Sequence, residues 1–247
     1  MGRSSTATKA GSLADGVDAV LVRLADRLSG QIDPAAILSI AAELVGQHLA
    51  ANRCGYGEVE IDQDEIVIPV DWTDGVQSMV GRYPLRRGSI FVREYEAGRV
   101  GVVSDADALE LAPAVRETLA AMRCRAFIAA PLIHEGKLVG LFAVHSREAR
   151  HWTPAEIALV ERTAAMTWSA LRHAHTGALL RESEESFRML ADNIPGICWL
   201  ANTEGRAYWM NAAGRRYFGD ADAATNTPSA VVHPDDLGPS AAMWKRA

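Results

Sequence analysis

Three cysteines, Cys54, Cys124 and Cys198, and seven histidines carry the nucleophilic, redox and metal-binding chemistry available to this 247-residue chain. The cysteines stand roughly 70 residues apart, with no C-x-x-C pair and an odd count, so neither a disulfide framework nor a cysteine zinc site is expected. Cys124 lies in "MRCRAF" between Arg123 and Arg125, whose charge could lower a thiol pKa and make a reactive centre; Cys54, before "GYGEVE", is the second candidate thiol. The commoner fate of a free cysteine is inert burial. His173 and His175 form an H-x-H on a helix, where residues two apart face different ways and do not share a metal. "RHAHTGALL" also lacks the acid and proline context of a phosphoaccepting histidine. "HPDD", residues 233–236, is better explained as a helix start than as a metal site. No glycine-rich ATP lid, no G-x-x-x-x-G-K and no kinase aspartate motif occurs. No catalytic and no metal residue is therefore expected. What remains is binding: Phe91, Tyr95, Phe127 and Phe142 can furnish the apolar wall of a pocket, and His145, ending "GLFAVH", a polar group beside it. Each of the four aromatics can equally be plain core, as can Trp199 and Trp209 nearer the end of the chain.

These residues need elements to hold them. Leu13, Val17, Val20, Leu21, Leu24 and Leu28 repeat at three- and four-residue spacing, predicting a helix that Gly30 ends, after a disordered stretch over residues 1–12. Asp33-Pro34 starts a second helix, continued inward by Ile37, Ile40, Leu44 and Val45. "CGYGEVEID" and "DEIVIPVDW" read as antiparallel strands, followed by the long connection "TDGVQSMVGRYPLRRGS". A short helix from Ile90, the strand "RVGVV" and the helix "APAVRETLAAM" come next. "AFIAAPLI" and "LVGLFAVH" are two apolar strands across the turn His134-Glu135-Gly136-Lys137, central in the sheet. "HWTPAEIALVE" gives a helix with Thr153 as N-cap, Pro154 first and Glu156 closing a capping box. The class is α+β, with an antiparallel sheet and helices on one face, over residues 13–172. A polar helix over residues 173–190 follows, with a thin seam of Leu180 and Phe187 and a weak point at Gly177. It reads either as a solvated linker or as a dimerising connector. Residues 191–247 form a further unit: strands "ICWLAN" and "AYWMN" across Thr203-Glu204-Gly205-Arg206, a helix "AAGRRYFG", an extended "VVH" and a final helix.

A formal charge of -6 argues against a basic face for nucleic acid or anionic membrane. The apolar runs fall short of the roughly 20 residues of a membrane span, and "MGRSSTATKAGS" has no apolar signal core. A cytoplasmic location is expected.

Two resemblances follow from the motifs. "RAFIAAPLIHEGKLVGLFAVHSREARHWTPAEIALVE" resembles the last hairpin and closing helix of the GAF domain, and "SEESFRMLADNIPGICWLANTEGRAYWMN" with "HPDD" resembles the first, incomplete part of a PAS domain. The order GAF, helix, PAS is similar to the input half of bacterial sensor histidine kinases. This implies a sheet whose concave, helix-covered side holds a small ligand. His145 and Trp152 match positions of bilin-binding GAF domains, but Ala114 and Val115 stand where that group has its Cys-His pair, so covalent bilin is not expected and the cofactor is open. A free methionine sulfoxide reductase is also known on the GAF fold, and its clustered cysteines are not matched here. The expectation is a noncatalytic sensory input module of a histidine kinase that binds a small ligand or partner and relays the signal through a helix in a homodimer. The alternatives are a thiol-dependent redox enzyme on the same fold, using Cys124 or Cys54, and a ligand-free dimerisation platform.

Overall fold

The computed structural model describes residues 5–60, 62–87, 89–203, 207–219 and 233–244. They divide into two compact units, Met1–Gly177 and Ala178–Ala247.

The first unit opens with α1 (Ser5–Leu28) and α2 (Pro34–His48). α1 begins at Ser5, and its packed stripe is seen from Val17 to Leu28. Asp33 caps α2 as expected, its carboxylate accepting from the Ala35 N–H at 3.1 Å. Six strands then form one antiparallel sheet: β1 (Arg53–Glu60), β2 (Glu65–Thr73), β3 (Gly81–Pro84), β4 (Gly101–Val103), β5 (Ala126–His134) and β6 (Lys137–Ser146), in the order β3-β2-β1-β6-β5-β4. β6 pairs with β1 on one side and β5 on the other, which puts the hairpin in mid-sheet. β3 lies inside the segment expected to be a loop. Its four residues pair with β2, which supplies the order that their own Gly and Pro do not. α3 (Ile90–Glu96) and α4 (Pro113–Ala121) interrupt the strands, and α5 (Pro154–Asp192) closes the unit. At its start Glu156 accepts from the Thr153 N–H at 2.7 Å, and the Thr153 hydroxyl accepts from the Glu156 N–H at 3.2 Å: the capping box is complete. α5 passes through Gly177 unbroken; one glycine weakens a helix by about 1 kcal/mol, which 38 other residues carry.

Strand alternation divides the core in two. Cys54 and Tyr56 of β1, Ile128 and Ala130 of β5, and Phe142 and Val144 of β6 pack against α1, α2 and α5. Val59, Phe127, Ala129, Leu141 and Ala143 point the opposite way, toward α3 and α4. Both faces are therefore covered, which corrects the expectation of helices on one face: the two short helices inserted between strands are enough to roof the second face.

In the second unit β7 (Trp199–Ala201) and β8 (Ala207–Met210) pair antiparallel, followed by α6 (Ala212–Phe218) and α7 (Pro234–Trp244). Asn211 is fully buried. Its side-chain oxygen accepts from the N–H groups of Gly214 and Cys198, both at 3.0 Å, and its amide donates to the carbonyls of Ala191 and Gly196 at 2.9 and 2.8 Å. One side chain thus caps α6 and ties the hairpin to the end of α5. Trp209 packs on Phe187 with ring centroids 5.2 Å apart. Residues 204–206 of the expected turn and the extended Val231-Val232 lie outside the described residues, as do residues 1–4.

Candidate functional site

The second face of the sheet is under-filled. Along β6 the residues facing α5 from Gly140 to Ser146 are buried, and Leu141, Ala143 and His145 on the other parity are only half-buried although the strand is central. The reason is size: Ala129 of β5 and Ala143 of β6 stand on the positions facing α3 and α4, while Gly55 and Gly57 of β1 let Asp71 and Ile66 of β2 lie close against the sheet. Small residues on a floor and larger ones in the roof leave a cavity of about 440 Å³, inside the range of small-molecule sites. Ile66 and Ile68, Leu85, Phe91, Val92 and Tyr95, and Val115, Leu119 and Met122 of α4 complete an apolar wall. Phe91 and Phe127 meet edge to face at 5.3 Å.

One end of this space is polar. Arg53, the first residue of β1, is 4% exposed. Its guanidinium donates to the Gln77 carbonyl at 2.6 and 3.2 Å and to the Met122 carbonyl at 3.2 Å, and lies 3.8 Å from the Asp71 carboxylate. Asp71 in turn accepts from the Ser78 hydroxyl at 2.7 Å and the Met79 N–H at 2.6 Å. Burial pulls the Arg53 pKa down and Asp71 opposes it; the guanidinium stays a cation, paired and nearly saturated. Its Nη1 also reaches His145 Nδ1 at 3.4 Å. A guanidinium only donates, so Nδ1 is the acceptor nitrogen and the proton of the neutral ring sits on Nε2. Burial, and secondly the Arg53 charge, push His145 down to about 3. The end of the cavity therefore presents a neutral imidazole with a defined donor, held in place by Arg53 and by the edge of Phe127 at 6.3 Å.

Of the expected ligand-binding residues, the structure brings Phe91, Tyr95, Phe127 and His145 together on this cavity. Phe142 is not among them. It is completely buried on the opposite face, because a strand turns successive side chains to opposite sides and Leu141 and Ala143 hold the cavity side. Arg53, Asp71 and the floor glycines were not foreseen. The readable signal for the floor is that Gly55, Gly57, Ala129 and Ala143 share the parity of His145.

The thiols are not activated. Cys124 is buried beneath α4 and pushed up to about 12, burial outweighing the Arg53 charge, while Arg125 is engaged by Asp105 at 2.7 Å. Cys54 is buried on the far face, and burial pushes it higher still. Among the described residues no cysteine lines the cavity, and no group of three or more His, Cys, Asp or Glu side chains is placed to hold a metal. His173 and His175 are exposed on α5. Val115, on α4, lines the cavity wall where the bilin-binding pattern has its Cys-His pair.

The family model of the GAF domain matches residues 33–171, the span of α2, the six-stranded sheet and the packed part of α5. The chain belongs to the GAF domain family. GAF domains are sensory modules as a family. The chain is 29% identical over 73 residues to the methyl sulfide methyltransferase-associated sensor of Methanosarcina acetivorans, covering 30% of this chain and 7% of that protein. It spans less than half the length of the curated relatives it matches. Among solved structures, the GAF domain of a phosphoenolpyruvate-protein phosphotransferase from Coxiella burnetii superposes with a TM-score of 0.57 at 18% identity, over 67% of this chain and 98% of that one. Free methionine-R-sulfoxide reductase from Neisseria meningitidis, in complex with its substrate, gives 0.55 at 18% identity, over 66% and 93%. At such identities the likeness is one of fold. Among the described residues no helix is long and apolar enough to cross a membrane.

Proposed function

We propose that this GAF domain is the ligand-sensing input of a signalling protein, that the cavity over β1, β5 and β6 holds a small, mostly apolar organic molecule, and that α5 carries the response. The observation that carries the reading is the cavity itself: about 440 Å³ of apolar-walled space ending at the neutral His145 that Arg53 orients. Uncompensated empty space in a core is destabilising, and a bound molecule removes that cost. β6 carries part of the cavity floor and ends at Ser146, seven residues before Thr153 of the α5 capping box, so displacement of Ala143 and His145 has a short covalent path to the helix.

The wider reading is a bacterial histidine kinase input that works as a homodimer in the cytoplasm, with PAS-like elements in residues 191–247. It rests on the motif resemblance and on the sensor relative from Methanosarcina. The exposed Leu180, Phe187 and Leu190 of α5 stand at seven- and three-residue spacing, the repeat of a helical pair. A thiol-dependent redox reaction is not favoured, since both thiols near the domain core are held protonated and neither borders the cavity. Sedimentation of the chain together with thermal melting in small-molecule extract of its host tests the proposal. A dimer whose melting temperature rises with the extract is the expected result. A monomer at all concentrations removes the relay, and an unchanged melting temperature removes the ligand.

A further inference from the structure

A second concave surface lies on the outer side of α4. Val115, Thr118, Leu119 and Met122 recur at three- and four-residue spacing and line the cavity. Arg116, Ala120 and Arg123, one position further round the helix axis, line a separate groove of about 470 Å³ that Leu119 also borders. Arg125, just before β5, and Arg147, just after β6, complete it. Four guanidinium groups thus gather on a chain of net charge -6. The two carboxylates of the lining are already engaged, Asp107 with Arg125 at 3.0 Å and Glu148 with Arg147 at 3.8 Å. Among the described residues, Arg116 and Arg123 form no ion pair and no side-chain hydrogen bond.

Arg123 also sits at φ 49, just past the C-cap of α4, with its N–H donating to the Ala120 carbonyl at 3.0 Å. That backbone region favours glycine, so the strain is borne by a residue whose side chain reaches the groove. The floor is apolar, with Leu111, Leu119 and Cys124 between the charged sides.

We propose that this groove binds a phosphorylated organic anion, its phosphate held by Arg116 and Arg123 and its apolar part lying over Leu111 and Leu119. Planar guanidinium forks match phosphate oxygens in pairs, and the groove has small-molecule dimensions. The site would also act on the first cavity. No residue of α4 is fully buried and its N-cap, Ala112, makes no side-chain bond, so Arg53 holds the Met122 carbonyl at the far end of the helix while the N-terminal end is less constrained. An anion on Arg116 and Arg123 ties α4, a wall of the cavity, to the turn that leads into β5.

The test is amide NMR titration of the full chain with AMP and, separately, with inorganic pyrophosphate, at constant ionic strength against a sodium chloride control. Saturable shifts at Arg123, Cys124 and Arg147, tighter for AMP than for pyrophosphate, are expected. The Arg116→Ser/Arg123→Ser double variant should weaken both at least ten-fold, and Arg27→Ser, on α1, should leave them unchanged. Both substituted arginines are exposed, so the double variant should keep the dispersed spectrum of the parent. Absence of saturation, equal weakening by Arg27→Ser, or shifts centred on Ala143 and His145 would each overturn the site. Binding of pyrophosphate without AMP would overturn the organic class of ligand.

Discussion

Enlarging the side chain at position 143 should be tolerated, and enlarging its neighbour at position 144 should not. Ala143 faces the cavity, whereas Val144 is 0% exposed against α5 and the helical layer. Ala143→Leu adds three carbon groups to existing empty space, worth up to about 2.4 kcal/mol at about 0.8 kcal/mol per buried methylene. Ordering the leucine side chain takes back about 0.5–1 kcal/mol. The variant should therefore match the parent or exceed it by about 1 kcal/mol. Val144→Phe adds a comparable bulk where none is free, and overpacking of that kind costs about 1–3 kcal/mol. The two neighbours should differ by about 1–4 kcal/mol, which at a slope of about 1–3 kcal/mol per molar urea separates their midpoints by roughly 1 M. Because the chain has two units, the transition should be followed through amide signals of β5 and β6, which report the first unit alone. Equal destabilisation by both substitutions would refute the reasoning, since the two faces of β6 would then be equally filled.

Three further outcomes follow from the polar end of the cavity and the thiols. His145 has a folded pKa of about 3 against 6.5 unfolded, so the unfolded state binds the extra proton as pH falls. The stability it contributes is complete above pH 6.5 and is lost progressively down to about pH 3, with a slope of up to about 1.4 kcal/mol per pH unit. Urea titrations at several pH values should show His145→Gln lacking that part of the slope; an identical slope in the variant would contradict the assignment. Arg53→Met removes the donors to Gln77 and Met122 and strands Asp71 in the interior, which should cost about 3–5 kcal/mol. Adding Asp71→Leu should recover part of this in thermal melting, and no recovery would show that the pair is not coupled. Iodoacetamide at mildly alkaline pH, read by peptide mass spectrometry, should label Cys198 first and leave Cys54 and Cys124 protected in the native chain; rapid labelling of Cys124 would reinstate a reactive thiol.

The fold was legible where local signals agree. The hairpin before Ser146 alternates two apolar runs with a glycine turn, and Thr153-Pro154-Glu156 names a helix start in three residues that the structure satisfies atom by atom. The cavity was half legible. Its aromatics stand in chemically suggestive places, but "LVGLFAVH" is apolar on both parities, so periodicity alone does not say which parity faces a ligand. Phe142 was misassigned for that reason, and only the small residues of neighbouring strands break the symmetry. Arg53 and Asp71 could not be paired from sequence. They lie on adjacent strands, diagonally on either side of the Cys54–Trp72 register pair, and their meeting is a product of β1–β2 register. Cys124 failed in the opposite direction: its two flanking arginines point outward, so proximity in sequence brought no charge to the thiol, and burial decided its state. The short helices α3 and α4 were found, yet their role as a roof over the second face needed tertiary contacts that no local pattern encodes.

Native mass spectrometry of the chain purified from its own host tests the central claim most directly. The account predicts one noncovalent adduct of small-molecule mass, released by gentle activation and absent from Ala143→Leu. A bare polypeptide mass, or an adduct that survives the filling of the cavity, would contradict it.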